Sequence, residues 1–185
     1  MGVRALFSFI IAVLFRYRTF WTTLKENPPG DETALLRDYA VPVIALVQLA
    51  KFPLIGVPKS AMFYGLANFL IDVGALYILV GGASYLAEHN RLKANPSGML
   101  AVFCFSMTPV WISELFYFAG HWAWLAAVIG IVYAIVINRQ GLVTFLGLEP
   151  SASGGLLRNI ALLQVLTVFA VLMLLRAVMR LFNFI

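Results

Sequence analysis

The chain has 185 residues, of which 62% are hydrophobic and 11% are charged, and its formal net charge is +5. Soluble domains carry about 25% charged residues, so this composition excludes an ordinary soluble domain and favours a single membrane domain. The basic residues are scattered at segment ends rather than clustered, which indicates lipid headgroups and not nucleic acid as their partners.

The amino-terminal segment, residues 3–24, contains an apolar run that is bounded by Arg4 and Arg16, and Arg18 follows this run. Its apolar run is shorter than the roughly 20 residues that a transmembrane helix needs, and no small-x-small cleavage site follows it. We therefore predict an amphipathic helix that lies at the membrane surface. A sixth membrane span is the alternative for the same residues.

Five longer apolar segments follow, separated by polar loops that contain Pro, Gly or Asn. Each segment is long enough, or nearly so, to cross the hydrocarbon core as an α-helix. The sequence therefore predicts an all-α, polytopic transmembrane helical bundle with five spans. The predicted spans cover residues 35–54, 61–86, 99–119, 122–137 and 156–178.

The third span belongs to the apolar stretch 99–124, and we expect the bundle to be organised around it. Pro109 has no amide hydrogen and crowds the carbonyl four residues earlier, so a kink is predicted between Ser106 and Pro109. Glu114 is costly at lipid depth unless it is protonated, paired or able to reach the interface.

Lysine and arginine residues near the span ends predict the orientation of the chain. One side carries Arg4, Arg16, Arg18, Lys25, Arg37, Arg91, Lys93, Arg139 and Arg158, and the other carries Lys51, Lys59, Arg176 and Arg180. Because cytoplasmic loops are enriched in these residues, we expect a cytoplasmic amino terminus and an external carboxyl terminus.

Polar side chains at lipid depth form a candidate intramembrane site. Gly65, Asn68 and Asp72 share one helical face, as small and polar residues do at a helix–helix contact or a wet cavity. Lipid exposure of Asp72 would cost at least ~2.5 kcal/mol, so we predict that it faces protein, either as an ion, proton or headgroup site or as a hydrogen bond between helices. The candidate site comprises Asn68, Asp72, Ser106, Thr108, Pro109, Ser113 and Glu114.

Catalytic and cofactor motifs are absent from the sequence, including G-x-S-x-G, H-E-x-x-H and Gly-rich phosphate loops. His89 and His121 fall in loops on opposite sides, which argues against a haem or zinc site. Ser113 has no histidine at membrane depth to activate it. We therefore expect no enzymatic activity, no cofactor and no metal.

Motifs along nearly the whole chain resemble those of the prokaryotic branch of the Ypt-interacting protein (YIP) family of five-span membrane proteins. They are Phe20-Trp21, Asn27-Pro28, Tyr39-Ala40-Val41-Pro42, Phe52-Pro53-Leu54-Ile55-Gly56, Ser106-Met107-Thr108-Pro109-Val110-Trp111, Gly130 with Tyr133, Gly141-Leu142 and Glu149-Pro150. Asp38, four residues before Pro42, is similar to the first residue of the D-L-Y-G-P element of eukaryotic members.

The resemblance implies a protein of the bacterial cytoplasmic (inner) membrane that shapes, sorts or assembles with membrane components. Its expected partners are membrane lipids and another membrane protein or a second copy. A Rab-type GTPase is not expected, because the tyrosine of the eukaryotic element is displaced here and the long cytosolic amino-terminal region of eukaryotic members is missing.

Three functions are compatible with these features. The first is a non-enzymatic scaffold or accessory subunit of a membrane assembly. The second is a small transporter or channel that uses Asp72, Glu114 and the kink at Pro109. The third is lipid scrambling or curvature sensing through the helix at residues 3–24.

Overall fold

A computed structural model of the chain describes residues 2–27, 32–55, 57–90, 96–117, 119–149 and 154–181, and within these ranges it contains helices and no strand. A π-helical turn, Leu36–Ala40, leads into the fourth α-helix, and a 3-10 turn, Glu114–Phe116, follows the seventh. The α-helices are α1 (Val3–Phe15), α2 (Tyr17–Glu26), α3 (Glu32–Leu35), α4 (Val41–Ile55), α5 (Pro58–His89), α6 (Pro96–Ser106), α7 (Thr108–Ser113), α8 (Trp122–Thr144) and α9 (Gly154–Leu181).

Five helical segments of the described chain are long and apolar enough to cross a bilayer, which confirms the predicted all-α bundle of an integral membrane protein. They are Thr33–Ile55, Pro58–His89, Pro96–Phe116, Trp122–Thr144 and Gly154–Val178. The fourth differs most from its predicted bounds, because α8 continues beyond residue 137 to Thr144. Asn138 does not end this helix, since its side chain is buried and donates a hydrogen bond to Ser106 Oγ at 3.3 Å.

The third span, formed by α6 and α7, is the centre of the bundle. Of its most apolar stretch 83% is buried inside the protein, whereas the corresponding fraction is 39% or less in the other four spans. Every residue from Gly98 to Trp111 is buried, including Cys104, the single cysteine of the chain. The other spans therefore pack around this helix, as the sequence predicts.

The predicted kink in this span is present as a break at Met107, between α6 and α7. Pro109 is the second residue of α7, where its missing amide hydrogen removes no helical bond. The amides of Val110 and Trp111 both bond the carbonyl oxygen of Met107, at 2.9 and 3.1 Å. In the turn that follows α7, Glu114 bonds Lys51 of α4 and Asn68 of α5.

A π-helical turn precedes Pro42 at the entry to α4. The Val41 amide bonds the Leu36 carbonyl, five residues back, instead of the usual four. Pro42 has no amide hydrogen for the carbonyl of Asp38, and the wider turn makes room for its ring. The helix therefore begins earlier than the predicted residue 35, at Glu32.

Residues 3–24 form two helices, not the single helix predicted. Arg16 has φ −133° and ψ 33°, outside the helical region, and separates α1 from α2. With 13 residues, α1 is about 20 Å long and does not reach across ~30 Å of hydrocarbon, so the alternative of a sixth span is not supported. Val13 and Trp21 are fully buried, so both helices pack against the bundle.

Candidate functional site

Five buried polar side chains from α4, α5 and the 3-10 turn after α7 meet inside the bundle. We call this set, Gln48, Lys51, Asn68, Asp72 and Glu114, the polar cluster. All five are at most 4% exposed. Gln48 and Lys51 are three residues apart on α4, and Asn68 and Asp72 are four apart on α5, so each pair projects from one face of its helix.

An ion pair is the centre of the polar cluster. Lys51 Nζ donates to Glu114 Oε2 at 2.5 Å and to Gln48 Oε1 at 3.0 Å. The rings of Tyr64 and Tyr117 have their centroids 5.8 and 5.5 Å from the same nitrogen, within the range of cation–π attraction. The ammonium group is therefore enclosed by one carboxyl group, one amide and two aromatic rings.

Two amide side chains connect the ion pair to Asp72. Asn68 Nδ2 donates to Glu114 Oε2 at 2.7 Å and to Gln48 Oε1 at 2.9 Å. Gln48 Nε2 donates to Asp72 Oδ2 at 3.1 Å and to Glu114 Oε2 at 3.4 Å. Asp72 therefore faces protein, which confirms the prediction, and the Gln48 amide joins the two carboxyl groups.

Two acceptor atoms of the polar cluster have no hydrogen-bond partner among the described residues, and its charges do not cancel when both carboxyl groups are ionised. Glu114 Oε1 and Asn68 Oδ1 are buried and have no hydrogen-bond partner among the described residues. Two ionised carboxyl groups against one ammonium group would leave one excess negative charge, which is costly at membrane depth. A proton, a water molecule or a monovalent cation suits this chemistry. The described residues contain no group of three or more His, Cys, Asp or Glu side chains that could hold a metal ion.

Two residues of the polar cluster, Lys51 and Gln48, are not in the predicted site. Lys51 is predicted to lie at the external interface, which is wrong, because its side chain is 0% exposed. Without Lys51, the side predicted to be external carries three basic residues, not four. Glu114 is also 0% exposed, so it is paired and does not reach the interface. The signal that was missed is the spacing of Gln48 and Lys51, two polar residues on one face of a predicted span.

The remaining candidates lie apart from the polar cluster, so the predicted site separates into distinct contacts. The Tyr39 and Thr108 hydroxyl groups are 2.8 Å apart and joined by a hydrogen bond. Ser106 accepts from Asn138, as described above, and Ser113 Oγ donates to a carbonyl of its own helix at 2.7 Å. The first two bonds join α7 to the π-helical turn and α6 to α8, the third lies within α7, and none of them contains an ion pair.

Several residues that carry the family resemblance contact one another across helices. A Cβ atom on Gly141 would lie 2.7 Å from Trp21 Cζ2, so only glycine lets α8 approach this ring so closely. A Cβ atom on Gly130 would lie 3.1 Å from the carbonyl oxygen of Pro109. The Tyr133 hydroxyl donates to the carbonyl of Leu14 on α1. These motif residues hold α1, α2 and α7 against α8.

The other motif residues are partly on the surface or outside the described residues. Trp111 is buried in α7, and Pro42 follows the π-helical turn described above. Asp38 accepts from the Arg37 guanidinium at 3.0 Å in an ion pair that is partly exposed. Gly56, Pro150 and Pro28 lie outside the described residues.

Comparison of the chain with protein-family models finds no match. Comparisons with curated proteins and with solved structures find none either. The resemblance to the YIP family thus stays a prediction from the motifs, and the polar cluster and the helix contacts are the structural basis for a function.

Proposed function

We propose that this integral membrane protein is a non-enzymatic scaffold or accessory subunit of a membrane assembly. The observation that carries the proposal is the enclosure of its deep ionisable groups. Lys51, Asp72 and Glu114 are at most 4% exposed. Lys51 and Glu114 bond each other, and Asp72 accepts from the Gln48 amide. A side chain that binds a transported solute must be accessible to that solute. Buried side chains that bond only one another instead fix the register of the helices that carry them.

The resemblance to the YIP family supports the same function, and so does the absence of a catalytic motif from the sequence. With its polar groups turned inward, the protein presents large apolar side chains to the bilayer, among them Tyr77, Ile78 and Val132. Transmembrane helices of a partner associate with such faces by close packing, best where small residues let the backbones approach. Two further expectations belong to this proposal: a bacterial inner membrane, from the family resemblance, and a cytoplasmic amino terminus, from the distribution of basic residues.

Photo-crosslinking in the native membrane tests the proposal. A crosslinking amino acid replaces Ile78, which borders a lipid-facing groove of about 460 Å³ between α5 and α9 that also contains Gly74 and Ala170. The matched position is Val132, an exposed residue on α8. From one of these two positions, we expect a crosslink in a fixed ratio to one defined membrane protein or to a second copy of this chain. A chain that crosslinks only to lipid from both positions and purifies alone in mild detergent contradicts the proposal.

The second candidate function is proton- or cation-coupled transport, which the unpartnered acceptors of the polar cluster favour. These acceptors, Glu114 Oε1 and Asn68 Oδ1, belong to a cluster that has one excess negative charge when both carboxyl groups are ionised. The central span is broken at Met107, and discontinuous helices often form transport sites. A cavity of about 50 Å³, lined by Tyr117, Trp124 and Arg176, approaches Lys51 through the Tyr117 ring.

Flux measurements in liposomes separate the two functions. If the protein moves protons, Asp72→Asn and Glu114→Gln should each reduce the flux at least ~10-fold, as expected for loss of a proton-transfer group. Glu88→Gln is the control, because Glu88 is exposed near the end of α5. No flux in the wild type, or equal flux in all four proteins, eliminates the transport function.

A further inference from the structure

A second polar feature, separate from the polar cluster, is a cavity of about 310 Å³ between α8 and α9. Arg139 and Arg158 line it near the helix ends, five residues before the end of α8 and four residues after the beginning of α9. At 1.5 Å per residue, both lie within about 8 Å of those ends. Because α8 ends on the side of the membrane where α9 begins, the two arginines belong to one interface.

The cationic end of this cavity has no acidic partner among the residues that the structure describes. Arg139 and Arg158 are exposed, and neither forms an ion pair with another described residue. Two guanidinium groups that line one cavity without a carboxylate form a site for an anion, and their planar donors match the oxygens of a phosphate group.

A buried polar side chain, Gln164, lies at the deep end of this cavity. Gln164 lines it and is 0% exposed. Its Nε2 donates to the Met107 sulfur at 3.5 Å, and its Oε1 has no partner among the described residues. Gln164 is six residues, about 9 Å, deeper along α9 than Arg158, which is beyond an interfacial region of about 5–8 Å. The ester groups of a phospholipid likewise lie deeper in the bilayer than its phosphate.

We propose that the cavity binds one anionic phospholipid, with its phosphate between Arg139 and Arg158. Below the phosphate, the ester groups of the lipid would lie towards the part of the cavity that Asn138 and Gln164 line. The apolar walls, including Leu157 and Ala161, contact the hydrophobic part of the lipid. A lipid, rather than a free phosphate, fits these walls and the position of the arginines at the interface.

Native mass spectrometry of the purified full chain in mild detergent tests this proposal. Phosphatidylglycerol and phosphatidylcholine with the same acyl chains are the two probes. We expect one tightly bound phosphatidylglycerol per chain and much weaker binding of phosphatidylcholine. Arg139→Gln with Arg158→Gln should weaken binding about 30-fold, since each basic residue contributes about 1 kcal/mol and ~1.4 kcal/mol corresponds to tenfold.

The matched control is Arg16→Gln with Arg18→Gln, which removes the same charge from exposed side chains outside the cavity. This control should bind phosphatidylglycerol as the wild type does. Equal losses in the two double variants, or equal affinity for the two lipids, would mean general attraction to the headgroup and would overturn the proposal.

A third variant distinguishes a cavity from a charged surface. Ala161→Phe fills the cavity and keeps both arginines, so it should reduce phosphatidylglycerol binding at least ~10-fold, and wild-type binding by this variant would overturn the proposal. Displacement of the lipid by millimolar glycerol phosphate would show a site for soluble anions and would also overturn it. Because Arg139 and Arg158 are exposed, their variants keep the test decisive even if Ala161→Phe does not fold.

Discussion

Lys51 on α4 and Glu114 after α7 are 63 residues apart in the sequence, and their side chains form an ion pair that is 0% exposed. The pair connects the first span to the central one. Asn68 extends the connection to α5, since its amide donates to the same oxygen of Glu114. Side chains from the first and second spans therefore both bond one carboxylate oxygen of the third span.

Removing the positive charge of this pair should destabilise the protein strongly. Lys51→Met leaves Glu114 and Asp72 without a cation, and loss of one partner of a buried ion pair costs about 3–5 kcal/mol. Equilibrium unfolding in mixed micelles, with increasing denaturing detergent, measures the loss. Lys59→Met is the control, because Lys59 is exposed in the first turn of α5.

The double variant Lys51→Met with Glu114→Gln should recover part of this stability. It removes both charges of the pair and keeps a side-chain oxygen that Asn68 can bond. If Lys51→Met unfolds at the same detergent concentration as Lys59→Met, the ion pair contributes little to the fold.

Gly141→Ala should separate α2 from α8. The added Cβ would lie 2.7 Å from Trp21 Cζ2, so the ring or the helix must move, and overpacking of this kind costs about 1–3 kcal/mol. Gly81→Ala is the matched change, since a Cβ on Gly81 has no atom within 4 Å, and we expect it to be neutral or to stabilise by up to ~1 kcal/mol. Both are compared by thermal unfolding. A smaller ring, Trp21→Phe, should partly restore Gly141→Ala, and failure to do so argues against this contact.

The hydrogen bond between Tyr39 and Thr108 should contribute a measurable coupling between the π-helical turn and α7. Tyr39→Phe and Thr108→Val each remove one hydroxyl group, and the double variant removes both. Hydrogen bonds between transmembrane helices average about 0.6 kcal/mol in such cycles, and we expect a coupling of that size. Additive losses, with no coupling, would mean that the two hydroxyl groups do not bond in the folded protein.

Five spans should place residues 18 and 180 on opposite sides of the membrane. Single cysteines at Arg18 and Arg180, both exposed, are introduced in a Cys104→Ala background and labelled with a membrane-impermeant maleimide. In right-side-out vesicles we expect labelling at position 180 only, and in inverted vesicles at position 18 only. Labelling of both positions in the same vesicles would contradict an odd number of spans.

Much of the fold could be predicted because apolar length determines membrane spans directly. The break at Met107 follows from the chemistry of Pro109 and needs no tertiary information. The division of residues 3–24 at Arg16 could not be predicted in this way. Residues 3–24 contain no Pro or Gly to mark the break, and Trp21 of α2 packs against Gly141, which is 120 residues away in the chain.

The candidate site was only partly predictable, for a similar reason. Asn68 and Asp72 are deep in a long span, where a polar side chain must face protein. Lys51 is near the predicted end of its span, where a lysine can equally extend to the interface. Only the packing of Glu114 against α4 distinguishes the two positions. Periodicity within one helix contains no information on that distant contact.

The reactivity of the Cys104 thiol can report how often the spans around the centre of the bundle separate. It is the single cysteine of the chain, and every residue from Gly98 to Trp111, on α6 and α7, is buried with it. A thiol in that position is shielded from alkylating reagents until the surrounding spans separate. The rate at which the unmodified protein is alkylated therefore measures how often its centre is uncovered, in whole membranes and without an added probe.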